Sequence, residues 1–155
     1  QQDVVLKNHG IELAIEEVHL EDKDNQPVSY PLAGSTVDII INYAAEVNKQ
    51  DVYFCLTIFN NLGVAVSHMN ELAFGRKNQI QAGNGQMRCR IPRLPLPIGS
   101  YRIAIAVHDS SGLIDILSNA LSFDVISSVY YPNSYTPPIE FSAALFDHEW
   151  MNYQG

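Results

Sequence analysis

The chain is predicted to be an all-β protein, an antiparallel sandwich of roughly seven to nine strands. Three observations predict it. Apolar residues alternate with period two in segment after segment, as in Tyr101, Ile103, Ile105 and Val107 against Arg102, Ala104, Ala106 and His108. Turn chemistry recurs about every dozen residues, as in Asn60-Asn-Leu-Gly63 and Asp109-Ser-Ser-Gly112. No 3.6-residue period competes before residue 126. Hydrophobic residues make up 46% of 155 and charged ones only 17%, which suits one packed domain rather than a disordered chain.

Taken in order, residues 1–9 read as a polar lead-in, consistent with a fragment of something longer. Gly10-Ile11 opens the first strand, with Ile11, Leu13 and Ile15 on one face. Glu16-Glu17 interrupts the alternation before Val18 and Leu20, which predicts a β-bulge. In Glu21–Pro27, Asp22, Asp24 and Asn25 faintly resemble a calcium loop. The glycine is missing and Ala33 stands where a bidentate glutamate belongs, so a solvated turn is the better reading. Thr36–Glu46 is the second strand, with Val37, Ile39, Ile41 and Tyr43 inward. Val52–Asn60 is the third, with Val52, Phe54, Leu56 and Ile58 inward. Val64–His68 returns, Met69–Gly85 is polar, and Gln86–Ile91 is a further strand.

Leu94-Pro-Leu-Pro-Ile-Gly-Ser-Tyr101 leads into the strand that ends at Val107. A tyrosine just after such a turn suits the tyrosine corner of Ig-like sandwiches, whose hydroxyl bonds upstream backbone. Leu113–Leu117 and Leu121–Ile126 complete the return as two segments. Ser127–Pro138, rich in tyrosine and proline, reads as a stiff extended linker. Residues 139–155 are apolar, and periodicity leaves strand and helix open. Such a segment on a stiff arm either folds back or adds to a neighbouring chain's sheet.

The net charge of −8 argues against nucleic acid and anionic membrane surfaces, which reward basic patches. No apolar run approaches the ~20 residues that span a bilayer. By strand parity Cys89 faces inward with Met87 and Ile91, while Cys55 faces outward with Tyr53 and Thr57, so the two do not bridge. Free thiols suit the cytosol. Catalytic motifs are missing: no Gly-x-Ser-x-Gly, His-Glu-x-x-His, Walker lysine loop or Cys-x-x-Cys occurs. His108-Asp109-Ser110 contains three triad residue types, but Asp and Ser serve the turn there. Histidines 9, 19, 68, 108 and 148 are scattered, and only His68 and His108 could meet, too few for a metal. No cofactor is expected.

If the third strand and the Tyr101 strand share a sheet, their outward residues are Tyr53, Cys55, Thr57 and Phe59 against Arg102, Ala104, Ala106 and His108. Small residues in the middle with aromatic and polar residues at the rim predict a shallow groove suited to sugars. His68, Asn70 and Glu71 are expected near one end, and Arg88 and Arg90 are further cations near the face. The equally supported alternative is that this face is covered by the C-terminal segment or by a partner chain.

Gly10-Ile-Glu-Leu-Ala-Ile-Glu-Glu-Val-His-Leu, Gly34-Ser-Thr-Val-Asp-Ile-Ile-Ile-Asn-Tyr, Phe54-Cys-Leu-Thr-Ile-Phe-Asn-Asn-Leu-Gly-Val-Ala-Val, Leu94–Tyr101 and Trp150 follow one order. That order resembles the C-terminal carbohydrate-binding domain of the Wzt-type ATPase subunits of O-antigen ABC transporters, over essentially the whole chain from about residue 8. The resemblance implies an Ig-like sandwich at residues 10–126 behind a nucleotide-binding domain. After the 127–138 linker it implies a strand at 139–155 exchanged between two protomers, with Phe141, Ala143, Leu145 and Trp150 as dimer contacts. It also implies a cytoplasmic domain beside a membrane permease, recognising the completed non-reducing end of an O-antigen polysaccharide. The family's sugar contacts vary, so the expected site rests on strand parity: Tyr53, Cys55, Thr57, His68, Asn70, Arg102, Ala104, Ala106 and His108. Arg102 is the candidate for a phosphate-bearing cap. The rival readings are a protein-binding assembly module without glycan affinity and an all-β hydrolase using His108.

Overall fold

The computed structural model describes residues 11–155; the 1–9 lead-in and Gly10 lie outside the described residues. Eight strands follow in order: β1 Leu13–Glu21, β2 Val37–Ala45, β3 Lys49–Asn60, β4 Ala65–Asn70, β5 Asn78–Ile80, β6 Gly83–Ile91, β7 Gly99–Asp109 and β8 Gly112–Val125. They form an antiparallel sandwich. One sheet runs β1-β2-β6, and the other runs β4-β3-β7-β8 with β5 beside β3. The fold is all-β and antiparallel, as the alternation predicts. No helix among the described residues is long and apolar enough to cross a membrane.

The core lies between the sheets. Ile39 and Ile41 from β2 face Phe54, Leu56 and Ile58 from β3 and Ile103, Ile105 and Val107 from β7. These are the residues that period-two parity sends inward. Tyr101 ends the β7 inner row. Its buried hydroxyl donates to the Pro97 carbonyl at 2.6 Å, as the tyrosine corner requires, and burial pushes the phenol's pKa well up. Ile11 departs from expectation. It is 69% exposed, because the paired part of β1 starts only at Leu13.

The bulge expected at Glu16-Glu17 is present: Ile15 opposes Tyr43 while Glu17 opposes Asn42. It has a second role. The Ile15 N–H donates to the carboxylate of buried Asp115 on β8 at 2.8 Å. One side chain thereby stitches the edge of the first sheet to the edge of the second.

Two expectations are corrected. The polar stretch 69–85 carries the end of β4, a short 3-10 helix at Glu71–Phe74, β5 and the start of β6. Glu71 organises it by accepting from the Phe54 N–H at 2.9 Å and the Asn78 amide at 2.8 Å, so local polar residues hold structure that apolar periodicity does not announce. The return after Gly112 is one strand, β8, with an irregularity at 118–120, rather than two segments. Residues 127–138, expected as a stiff extended linker, begin against the sandwich. Ser128 bridges Ala33 in parallel, and Ser128 and Tyr130 are buried.

Beyond Ile126 the chain adds no strand of its own; residues 139–155 are neither strand nor helix. The arm folds back in cis, with Ile139 packed against the core beside Gly99 and the Tyr131 hydroxyl donating to the Phe146 carbonyl. Leu145 is 3% exposed in the core cluster, and its N–H donates to the Pro95 carbonyl at 2.7 Å. Arg93 fixes the same region, with its guanidinium over the Tyr130 ring at 3.6 Å and its N–H groups on Asp147 and the Tyr130 carbonyl. Phe141 and Trp150 remain 86% and 90% exposed, and Ala143 is exposed too.

The outer face of the first sheet carries an ion cluster. Asp38 on β2, fully buried, takes two hydrogen bonds from Arg90 at 2.8 and 2.9 Å and one from Arg88 at 2.6 Å. Arg88 and Arg90 are thus held by the first sheet, and they come near the β3–β7 face only at the edge cleft that they line with Cys55 and Asn70. They alternate with inward Met87 and Cys89 on β6, which belongs to the opposite sheet. The Arg90 hydrogen bonds, helped by Arg88, hold the Asp38 carboxyl below the usual carboxylate range. A depressed folded-state pKa contributes stability that is present above the unfolded value of ~3.9 and lost as pH falls through the folded value. Thermal melts of Asp38→Asn are thus expected to show a lower midpoint at pH 7 and a smaller midpoint loss on acidification from pH 5 to pH 2. An acid slope equal to wild type would show that Asp38 carries none of it.

Candidate functional site

The outward face of the second sheet is built by register alone. Tyr53 stands opposite His108, Cys55 opposite Ala106, Thr57 opposite Ala104 and Phe59 opposite Arg102. On one flank β4 places His68 beside Thr57 and Asn70 beside Cys55. On the other, β8 places Ile116 beside Ala106 and Ser122 beside Arg102. All nine residues expected from parity therefore share one face. His68 and Asn70 sit in its middle rows rather than at an end, and Glu71 turns away to the Phe54 N–H.

The polar groups on this face are ordered by short contacts. The Thr57 hydroxyl and His68 Nδ1 lie 2.8 Å apart, and the Asn70 amide lies 3.5 Å from His68 Nε2. The Tyr53 and His108 rings stack 5.2 Å apart at 9°. His108 Nδ1 is buried and has no hydrogen-bond partner. Arg102 lies over the Phe59 ring at 4.0 Å and donates to the Ser118 carbonyl at 2.7 Å. Cys55, although outward by parity, is buried by its neighbours, and burial pushes its thiol pKa up, away from thiolate reactivity. Both cysteines are free.

Ala104 and Ala106 form a floor between these groups. At one edge of the face Cys55 and Asn70 line a cleft of about 380 Å³ between the β4 and β6 edges. The face is a platform, with apolar methyls in the centre and hydroxyl, imidazole and amide groups around them. Sugars are read by such combinations of apolar contact and fixed polar groups. Among the described residues no cluster of His, Cys, Asp or Glu could hold a metal ion. Asp109 pairs with Lys49 at 3.0 Å and accepts from the Ser111 N–H at 2.8 Å, so His108-Asp109-Ser110 is occupied as a turn.

Phe59, outward by parity, is the aromatic partner that fixes Arg102. One feature of the platform escapes sequence parity. The irregularity of β8 sets Ser118, Asn119 and Ala120 against the single residue Ala104, between the pairs Ile103–Leu121 and Ile105–Leu117. The gap between the two apolar runs of the return segment is the signal that marks it.

The sequence profile of the Wzt C-terminal domain matches residues 10–136. The chain belongs to the Wzt C-terminal domain family. A crystal structure of the C-terminal domain of Wzt superposes on this Wzt C-terminal domain with a TM-score of 0.76 at 12% identity. The match covers 94% of this chain and 85% of the other, and at that identity it speaks for the fold alone. A β-glucuronidase of glycoside hydrolase family 2 reaches 0.46 at 17% identity, over 74% of this chain and 13% of its own. The putative ApaA protein from Bordetella pertussis reaches 0.42 at 13% identity, over 74% and 93%. Neither of these two carries an argument about the Wzt C-terminal domain described here. No curated protein matches the chain.

Proposed function

We propose that this Wzt C-terminal domain binds the non-reducing end of an O-antigen polysaccharide and so selects finished chains for export by an ABC transporter. The observation that carries the reading is the family match over residues 10–136. The β3–β7 platform supports it, because its methyl floor and the polar groups around it suit a sugar ring. In this reading the domain is a cytoplasmic binding module without catalysis of its own. It is coupled to an ATPase domain and a membrane permease, and it needs no cofactor. Calorimetric titration with a panel of purified O-polysaccharides that includes the cognate one tests it. Saturable binding is expected, and absence of heat and of any NMR shift across the panel would reject it.

The arm favours a homodimer within the same reading. Phe141, Phe146 and Trp150 are exposed on a segment anchored at Ile139, Leu145 and Asp147, and apolar surface of that kind calls for a protein partner. Multi-angle light scattering is expected to report a dimer for the whole chain and a less soluble species after truncation before Pro137, which strips Leu145 from the core. A stable monomer for the whole chain would rule out this role of the arm.

A further inference from the structure

We infer that the β8 bulge at Ser118–Asn119 is the hydroxyl-reading wall of the platform, and that the sugar it reads is uncharged. The inference rests on the glycan-binding reading above and narrows it.

The bulge stands where the platform is otherwise blank. Ala104 offers only a methyl, and the three residues Ser118–Ala120 oppose it in place of one. A bulge re-aims side chains and is a common device beside binding sites. Here Ala120 stays fully buried in the core while Ser118 is exposed and Asn119 half-buried, so the two polar residues border the floor. The bulge is held from both sides. Arg102 donates to the Ser118 carbonyl at 2.7 Å, and the Ser122 hydroxyl lies 3.1 Å from Asn119 Oδ1. Holding the Asn119 oxygen directs the amide's two N–H donors to other acceptors, and sugar hydroxyls accept hydrogen bonds. Across Ala104, Thr57 and His68 supply the facing polar groups, already fixed at 2.8 Å.

The charge argument concerns the same rows. Arg102 is the one formal charge among the platform residues named above, and its guanidinium is committed twice, to the Phe59 ring and to the Ser118 carbonyl. It is a positioning residue for the bulge rather than a phosphate reader. No carboxylate faces this platform from its four paired rows either: Asp115 points inward to the Ile15 N–H, and Asp109 is paired with Lys49. A chain of net charge −8 also repels a polyanion.

Calorimetric titration of the whole chain with its cognate O-polysaccharide tests both parts. Affinity is expected to change less than about twofold between 50 and 500 mM NaCl, since screening acts only on charge–charge attraction. A tenfold loss over that range would overturn the uncharged-ligand part. Asn119→Ala is expected to weaken binding about tenfold or more, with the thermal midpoint and mass of wild type. Asn119→Asp keeps the shape but removes the donors, and it is expected to lose as much. Wild-type affinity in both variants would overturn the bulge assignment while leaving the glycan reading intact. Absence of binding by the wild-type chain would instead strike the glycan reading and take this inference with it.

Discussion

Ala104→Trp is expected to abolish glycan binding, a loss beyond about 100-fold or ~3 kcal/mol, without unfolding the domain. Ala104 points outward from β7 between Thr57 and the β8 bulge, and its side chain is half-exposed. An indole there needs no core volume, so the usual cost of overpacking does not arise. It would instead lie across the floor and displace anything seated on Ala104 and Ala106. Titration calorimetry reads the binding, and a melting curve reads the fold. Unchanged affinity with an intact fold would place the sugar somewhere other than this face.

Gly34→Ala is expected to lower the thermal midpoint by roughly 8–15 °C, corresponding to about 2–4 kcal/mol. Gly34 has φ +88°, a region that side chains rarely adopt. A Cβ built there would lie 2.7 Å from both the Cα and the N of Tyr130, and backbone cannot yield as a flexible side chain can. The neighbouring Ala33–Ser128 bridge joins the start of the arm to the sandwich at this point. The substitution should therefore free the arm as well as weaken the fold. Chymotrypsin cleavage after Tyr130 should become faster. A midpoint within 2 °C of wild type would mean that the contact is looser than these distances imply.

The ion cluster at Asp38 shows why part of the surface chemistry was illegible beforehand. Arg88, Arg90 and Arg102 look alike in sequence, each alternating with small or apolar residues. Pairing separates them. β6 joins β2, so Arg88 and Arg90 meet Asp38, whereas β7 joins β3, so Arg102 meets Phe59. Parity assigns a side chain to a face of its own strand, and only sheet order says whose face that is. The arm makes the same point. Residues 139–155 have enough apolar content to demand burial, yet contacts with distant residues, Leu145 with Pro95 and Asp147 with Arg93 among them, decide that the chain folds back there.

The sequence by itself determined the all-β sandwich, the inward rows of β2, β3 and β7, the bulge after Ile15, the tyrosine corner and the membership of the β3–β7 face. Each follows from an interaction between near neighbours along the chain or from period-two alternation, which needs no knowledge of partners. Only the tertiary structure decided that β8 is one strand with Ser118 and Asn119 set against Ala104, and that Arg102 donates to the Ser118 carbonyl. Those facts depend on which strands lie side by side and in what register. Register is a property of pairs of distant segments, so no single segment carries it.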